Sequence, residues 1–240
     1  MNVSLFGLGY VGCVSAACFA DAGHQIIGVD VDPTKVAMVA GGRSPVIEPG
    51  LDELIARHQQ VGRLHALTDP GPAIEGTEVS FVCVGTPSAG NGSLDLSHVE
   101  NVTRQIGAAL AVKNCWHVVV YRSTMLPGTV QSRLIPLLEE ASGKKAGRDF
   151  GVAVNPEFLR EGTAIADFRA PSRTVIGELD AASGDAVARL YDGINAPLVR
   201  LALGEAEICK YADNAFHALK VAFANEMGTL CRLHGIDSHR

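Results

Sequence analysis

The sequence predicts an α/β protein with a Rossmann-like, doubly wound, mostly parallel sheet, followed by one long helix. Three observations predict this fold. Short runs rich in β-branched residues alternate with helical patterns, which is typical of βαβ units. The strand-like runs are mainly apolar, as expected of strands covered by helices on both faces. From about Gly204 a helical pattern continues for about thirty residues without proline.

The elements follow one another in a regular order along the chain. The predicted strands are "VSLF", "QIIGVD", "VSFVCVG", "WHVVVYRS", "FGVAVN" and "RTVIGE". The predicted helices are "VGCVSAACFADAG", "LDELIARHQQ", "SHVENVTRQIGAALA", "TVQSRLIPLLEEAS" and the long C-terminal one. Glycine and proline mark the joints. We expect an α/β domain over residues 1–202 and the start of a central helical linker or dimerisation domain over residues 203–240.

Composition excludes several classes of protein. The chain has 240 residues, 47% of them hydrophobic and 19% charged, with a net charge of −6 and no basic cluster. Nucleic acid or an anionic membrane is therefore not expected as the main partner. No apolar run reaches the roughly 20 residues that span a bilayer, and no signal-peptide pattern opens the chain. The six cysteines show no CxxC spacing, which favours free thiols in a reducing cytoplasm and no metal site.

A glycine-rich turn follows the first strand. Gly7, Gly9 and Gly12 have the G-x-G-x-x-G spacing, in which the glycines permit a tight turn, close approach of a pyrophosphate and close helix packing. Asp30 ends the second strand, where a carboxylate accepts ribose hydroxyls and repels a 2′-phosphate, so NAD is favoured over NADP. A glycine-rich turn beside a surface aspartate is the structural alternative. Lys35 is either a ligand of the adenosine ribose or its phosphates, or a solvated helix lysine.

A series of motifs then resembles a known family. In order they are "GLGYVG", "GVDVD", "EPGL", "VGTP", "RSTMLPGT", "NPEFLREGTA" and "KYADNAFHALKVAFANE". Together they resemble the UDP-glucose/GDP-mannose dehydrogenase family, and the details of "GTPSAGNGSLDL" and "YRSTMLPGTV" are most similar to its GDP-mannose branch. The resemblance implies oxidation of a sugar C6 alcohol to a carboxylate with two NAD+, through a cysteine thioester that water hydrolyses. GDP-mannose would give GDP-mannuronate, a precursor for polysaccharide such as alginate.

The resemblance also implies a cofactor site. Its positions are Gly7, Gly9, Tyr10, Val11, Gly12, Asp30, Lys35, Thr86 and Thr124. Thr86 and Thr124 each follow an apolar strand, at the sheet edge where ligands bind in such folds. In the family both lie near the cofactor, and the second helps to position a catalytic water. The alternative is that each threonine only caps its turn.

The segment "NPEFLREGTA" implies a substrate site. Glu157 and Glu161 are four residues apart, so on a helical turn they would share one face. In the family the position of Glu161 accepts a proton or orients water, and the substrate is cradled by Glu157, Phe158, Leu159 and Arg160. The alternative is a solvated acidic turn in which Arg160 is a surface ion-pair partner.

The long helix carries a polar stripe. Lys210, Asn214, His217 and Asn225 fall within about 80° of one another at 100° per residue. The apolar residues cluster opposite, and we expect that face to pack on a core: Ile208, Ala212, Ala215, Leu219, Phe223 and Leu230. In the family Lys210 and Asn214 match the residues that stabilise the oxyanion at C6. In the GDP-mannose branch, His217 and Asn225 match substrate-binding positions.

Cys209 lies about 100° from Lys210 around this helix, so it does not share the polar face. The family nucleophile lies in a "GGxCxPKD"-like segment that residues 1–240 do not contain. We therefore expect a fragment that binds NAD, does not complete the oxidation and dimerises through the central helix. The alternatives are a UDP-glucose or other UDP-hexose 6-dehydrogenase, a non-catalytic NAD-binding and dimerisation module, and a two-electron β-hydroxyacid dehydrogenase, against which "NPEFLREGTA" argues.

Overall fold

The computed structural model describes residues 1–238, so the last two residues of the predicted 203–240 segment lie outside it. The strands are β1 Asn2–Phe6, β2 Gln25–Val29, β3 Leu64–Leu67, β4 Val79–Val82, β5 Val118–Tyr121, β6 Gly151–Val154, β7 Thr174–Glu178 and β8 Leu198–Ala202. The helices are α1 Tyr10–Asp21, α2 Pro33–Ala40, α3 Leu51–Gln60, α4 Pro70–Glu75, α5 Ser97–Val112, α6 Ile135–Ser142, α7 Ala164–Arg169, α8 Ala181–Ala188 and α9 Leu203–Leu233. A π-helical turn, Val130–Leu134, precedes α6, and a 3-10 turn, Arg189–Tyr191, follows α8.

The strands form one sheet in the order β3-β2-β1-β4-β5-β6-β7-β8. Neighbours are parallel except β6 and β7, which are antiparallel. The direction of winding changes between β1 and β4, because the chain places β2 and β3 on one side of β1 and returns to the other side. A crevice opens at the carboxyl ends of strands at such a switch point. The predicted Rossmann-like, mostly parallel fold is confirmed.

The sequence reading missed β3 and β8, the two edge strands of the sheet. β3 has only four residues, and β8 alternates between exposed and half-buried positions. An edge strand has a neighbour on one side only and is less covered by helices, so its sequence lacks the continuous apolar run of a central strand.

Two hydrophobic cores lie on the two faces of the sheet. Val3 and Leu5 of β1 belong to the first, with α1, α3 and α7, whereas Phe6 belongs to the second, with α5 and α6. This division follows from the alternation of side chains along a strand. The double coverage explains why the central strands are mainly apolar, with the buried Ser4 and Ser80 hydrogen-bonded to each other at 2.6 Å.

Helix α9 confirms the predicted long helix, but its predicted packing is wrong. Only its first two turns are buried, through Leu203, Ala206, Glu207 and Lys210. The side chains expected in a core are exposed further on: Leu219 is 64% and Phe223 66% exposed. A 31-residue helix is about 46 Å long, so it extends past the sheet edge on which it begins. No helix in residues 1–238 is long and apolar enough to cross a membrane.

Candidate active site

The glycine turn, residues 7–12, joins β1 to α1 at the switch point. Gly7 has φ +101° and donates its N–H to Val29 O at 2.8 Å. A Cβ on Gly12 would lie 1.8 Å from Gly7 O, so only glycine lets α1 start this close to the turn. A Cβ on Gly9 would meet nothing within 4 Å. The outer surface of the turn is therefore open, and a side chain at Gly9 would occupy the space above it.

Asp30 lies beside this turn, at the end of β2. Its carboxylate is buried and accepts Leu8 N–H at 2.6 Å and Asp32 N–H at 2.9 Å. Lys35 Nζ is 3.9 Å from it. A carboxylate offers about four acceptor positions, so two remain for ligand hydroxyls. The open turn and this carboxylate fit a dinucleotide with a free ribose 2′-hydroxyl, which is the group that distinguishes NAD from NADP.

A cleft of about 160 Å³ continues along the carboxyl ends of β4 and β5. Thr86 and Thr124 meet there, since Thr86 Oγ1 donates to Thr124 O at 2.7 Å. The cleft is lined by Val11, Cys83, Val84, Gly85, Thr86, Arg122, Ser123, Thr124 and Glu157. It brings the predicted positions Val11, Thr86, Thr124 and Glu157 together.

Lys210 and Glu157 form an ion pair at the same sheet edge. Lys210 Nζ is 3.0 Å from Glu157 Oε1, and the two side chains are only 10% and 13% exposed. The ammonium also lies 5.5 Å from the centre of the Phe158 ring. Lys210 is held here because its turn of α9 is the last one buried against the sheet. A largely buried cation in this position can stabilise negative charge that develops on a bound oxygen.

The 155–163 loop is not helical, so Glu157 and Glu161 do not share a helix face as predicted. Glu157 faces Lys210 and accepts the N–H of Leu159 at 2.7 Å, whereas Glu161 is exposed in a turn. A side chain that binds its own backbone competes with helix formation. Gly162 then turns the chain with φ +86°.

Arg160 and Phe158 occupy the surface of this loop. Arg160 is exposed and pairs with Asp167, Nη2 to Oδ1 at 2.6 Å, as the ion-pair alternative described. Arg173 lies over the Phe158 ring at 4.6 Å and is 3.4 Å from Asp213 of α9. Beneath the loop is a cavity of about 350 Å³, lined by Asn155, Pro156, Phe168 and Tyr191 among others.

Arg122 is a site residue that the sequence reading missed. Its guanidinium is buried and donates to Ser15 Oγ at 2.7 Å, to Asn155 Oδ1 at 2.6 Å and to Tyr191 OH. Among residues 1–238 no carboxylate forms an ion pair with it, and its Nε has no partner. It lines both the cleft and the cavity. The signal was a charged residue directly after four buried strand positions, in "VVVYR".

The rest of the polar stripe lies away from this cluster. Asn214 is one turn beyond Lys210 on the same face and is exposed. His217 and Asn225 are also exposed, about 10 Å and 22 Å along the helix axis from Lys210. Within the described chain Glu157 therefore shares the cleft with Thr124 and an ion pair with Lys210, and the distal part of the stripe lies apart from them.

None of the buried thiols is activated. Burial raises the pKa values of Cys13, Cys18 and Cys83 to about 12, far from the range of a reactive thiolate. Cys209 is half-buried and packs against the core, off the polar face as predicted, and Cys115 is exposed.

Comparison with known families gives two matches. The sequence profile of the UDP-glucose/GDP-mannose dehydrogenase family, NAD binding domain, matches residues 1–195. The profile of the central domain of the same family matches residues 204–240.

Individual relatives are consistent with these two family matches. GDP-mannose 6-dehydrogenases of Azotobacter vinelandii and Pseudomonas syringae pv. tomato are 54% and 52% identical over 99% of this chain. A UDP-glucose 6-dehydrogenase of Haloferax volcanii is 40% identical. The crystal structure of a ternary complex of GDP-mannose dehydrogenase from Pseudomonas aeruginosa superposes with a TM-score of 0.98 at 51% identity, covering all of this chain and 55% of that one. The chain spans about half the length of the curated relatives, 54% in the first two.

Proposed function

The chain belongs to the UDP-glucose/GDP-mannose dehydrogenase family, and we propose that it forms the cofactor-binding part of an enzyme that oxidises C6 of GDP-mannose. The observation that carries the proposal is the ion pair of Lys210 with Glu157, because Glu157 lines, together with Thr124, the cleft at the carboxyl ends of β4 and β5. A largely buried cation at the carboxyl edge of the sheet, near the site proposed for the cofactor, supports this proposal.

Residues 1–195 are an NAD-binding domain of this family. We propose that the backbone of the glycine turn holds the pyrophosphate and that Asp30 accepts the ribose hydroxyls, with Lys35 beside it. Tyr10, Val11, Thr86 and Thr124 would line the path toward the reacting end. When bound, NAD+ supplies the acceptor for the hydride that leaves the sugar carbon.

The chain's own residues would act on the sugar. Lys210 and Asn214, one helical turn apart, would stabilise the negative charge that develops on the C6 oxygen. Glu157 holds the Lys210 ammonium in place, and the 155–163 loop would cradle the sugar through Phe158, Leu159 and Arg160. Thr124 and Glu161 would position water, with Glu161 as the proton acceptor.

GDP-mannose is favoured over a UDP-hexose as substrate. GDP-mannose 6-dehydrogenases are 52–54% identical to this chain, whereas two UDP-glucose 6-dehydrogenases are 40% and 41% identical. The product, a sugar-nucleotide uronate, is the class of compound that polysaccharide synthesis, including alginate synthesis, consumes. We place the protein in the cytoplasm, in keeping with its free cysteines.

A homodimer through α9 is part of the proposal. Phe216, Leu219 and Phe223 are 61–66% exposed on this helix, and contiguous exposed apolar side chains mark interaction sites. His217 and Asn225 lie on the same exposed part, so their substrate-binding role belongs to the proposal in the assembled enzyme. A non-catalytic NAD-binding and dimerisation module would share this surface, and only a catalytic assay separates the two.

Binding and turnover test the proposal separately. The purified chain is titrated with NADH and, as the control, NADPH, and binding is followed by nucleotide fluorescence. We expect binding of NADH and at least about tenfold weaker binding of NADPH, because Asp30 repels a 2′-phosphate. Equal binding of both nucleotides, or of neither, would refute the cofactor assignment.

Burial disfavours the thiolate of Cys13, Cys18 and Cys83, and residues 1–240 contain no "GGxCxPKD"-like segment, so they are expected to bind NAD without completing the oxidation. The chain is incubated with GDP-mannose and NAD+, and GDP-mannuronate is sought by mass spectrometry. Its appearance would refute this expectation. A second protein is the chain extended with the "GGxCxPKD"-containing part of a relative, and it should convert GDP-mannose in preference to UDP-glucose. The reverse preference would favour the UDP-hexose alternative. No turnover of either sugar nucleotide would favour the non-catalytic module.

A further inference from the structure

Glu48 lies in the "EPGL" segment between α2 and α3, to which no role in binding or chemistry has been assigned above. Its side chain is buried, and the residue is only 7% exposed. Among residues 1–238 it forms no ion pair with a lysine, arginine or histidine. A buried carboxylate without a cation has to be satisfied by hydrogen bonds.

Hydrogen bonds from two distant parts of the chain satisfy it. Glu48 Oε2 accepts the Tyr10 hydroxyl at 2.5 Å and Gly162 N–H at 2.8 Å. Glu48 Oε1 accepts Ala164 N–H at 2.8 Å. The Tyr10 hydroxyl is also 3.5 Å from Arg160 O.

The carboxylate remains ionised despite its burial. Burial alone would raise the pKa of Glu48, but the Tyr10 hydroxyl and the backbone N–H groups outweigh it and hold the pKa below its usual value. Hydrogen bonds to an ionised acceptor are the stronger kind. The hydrogen bonds to the ionised Glu48 are therefore stronger than the same bonds to a neutral acceptor would be.

The hydrogen-bond partners of Glu48 lie at the glycine turn and at the end of the 155–163 loop. Tyr10 is the first residue of α1 and directly follows Gly9, so it belongs to the glycine turn. Gly162 is the second-last residue of the 155–163 loop, and Ala164 directly follows it. This loop carries Glu157 and Glu161. Within the described chain, Glu48 is thus bonded at once to the turn proposed for the cofactor and to the loop proposed for the sugar.

We propose that Glu48 is a positioning residue that couples these two sites, so that a dinucleotide bound at the glycine turn restrains the 155–163 loop. The coupling rests on the proposed NAD site. A ligand that fixes the backbone of the turn fixes Tyr10, and through the Tyr10 hydroxyl and Glu48 it fixes the amides of Gly162 and Ala164. The dinucleotide should therefore tighten the binding of a sugar nucleotide to the loop. By linkage, the sugar nucleotide tightens dinucleotide binding by the same factor.

Hydrogen exchange at the loop amides tests the coupling. Exchange of Gly162 and Ala164 is measured without NADH and at saturating NADH, so that changes in affinity do not enter. In the unaltered chain we expect NADH to slow this exchange at least about fivefold. In Glu48→Gln the backbone amides of Gly162 and Ala164 should exchange faster without NADH than in the unaltered chain. The glutamine side chain has one acceptor oxygen, whereas the carboxylate has two.

Tyr10→Phe is the decisive variant. It removes one hydroxyl and leaves the bonds from Glu48 to the loop, so exchange without NADH should stay close to that of the unaltered chain. The slowing by NADH should be lost, which a merely structural role of Glu48 does not produce. Glu139→Gln is the matched control: Glu139 also accepts a backbone N–H, that of Ala146 at 3.1 Å, but lies in α6.

The outcomes separate the two proposals. If NADH does not bind to the unaltered chain, the cofactor assignment and this coupling both fail. If NADH binds and slows loop exchange equally in the unaltered chain and in Tyr10→Phe, the cofactor assignment stands and the coupling is overturned. Loss of the NADH effect in Glu139→Gln as well would also overturn it, because the effect would not then depend on Glu48.

Discussion

Acid should destabilise this protein through one buried histidine. His117 is fully buried, with Nε2 2.7 Å from Ser80 Oγ and Nδ1 3.1 Å from Thr77 O. A carbonyl oxygen can only accept, so Nδ1 carries a hydrogen, and in the neutral ring Nε2 accepts from the Ser80 hydroxyl. Burial, and then the charge of nearby Lys113, lower the pKa of His117 to about 3.

The sign and size of the effect follow from linkage. The folded protein binds this proton only near pH 3, whereas an unfolded histidine binds it near pH 6.5. The contribution of the neutral ring to stability is therefore complete above pH 6.5 and is lost as the pH falls from 6.5 toward 3. At pH 5 the loss is about 2 kcal/mol, since each pH unit below 6.5 costs about 1.4 kcal/mol.

Urea unfolding at pH 7.5 and pH 5.0 measures this loss. His117→Gln is expected to be less stable than the unaltered chain at pH 7.5, but its free energy of unfolding should fall between the two pH values by about 2 kcal/mol less. Carboxylates that titrate in this range are common to both proteins and cancel in the difference. His98→Gln, at an exposed position of α5, should show the full fall of the unaltered chain. An equal fall in all three proteins would refute the reasoning.

Three further perturbations test the turn, the start of α9 and the thiols. Gly12→Ala should weaken NADH binding at least about tenfold with little change in circular dichroism, because its Cβ would lie 1.8 Å from Gly7 O and the turn must move; unchanged NADH fluorescence titrations would contradict this. Glu207→Gln should lower the free energy of unfolding by about 1–3 kcal/mol, since Glu207 accepts two backbone N–H groups at 2.6 and 3.0 Å, whereas Glu226→Gln on the exposed helix should change it by less than about 0.5 kcal/mol. A thiol reagent should label exposed Cys115 rapidly in the folded protein. Equally rapid labelling of the buried thiols would contradict their burial. Those protected thiols are Cys13, Cys18 and Cys83.

The central fold was predictable because its signals are local. An apolar run buried on both faces, a glycine turn and a helical period each occupy a few neighbouring residues, and the order of these signals determines the parallel sheet. The edge strands β3 and β8 were missed because their sequences are short or alternating, and pairing with one neighbour is enough to make them strands. Their existence depends on β2 and β7, which lie elsewhere in the sequence.

The site was predictable in part, for the same reason. Thr86, Thr124 and Glu157 follow strands, so the carboxyl edge of the sheet brings them into one cleft. The conformation of the 155–163 loop depends on contacts that spacing does not encode. Arg122 bonds Ser15 across 107 residues, and Glu48 bonds Gly162 across 114. Separations of that size leave no periodic trace in a sequence.

The long helix shows why an amphipathic pattern does not identify what covers a face. The period correctly grouped Lys210 with Asn214 on one side and apolar residues on the other, but burial along α9 changes with distance from the sheet. Lys210 is buried because it lies on the last turn that touches the sheet, and Asn214 is exposed only one turn later. The candidate site therefore lies where the helix leaves the sheet. The exposed Leu219 and Phe223 lie within a few helical turns of the Lys210–Glu157 pair, so the proposed dimer surface and the proposed sugar site would share one helix.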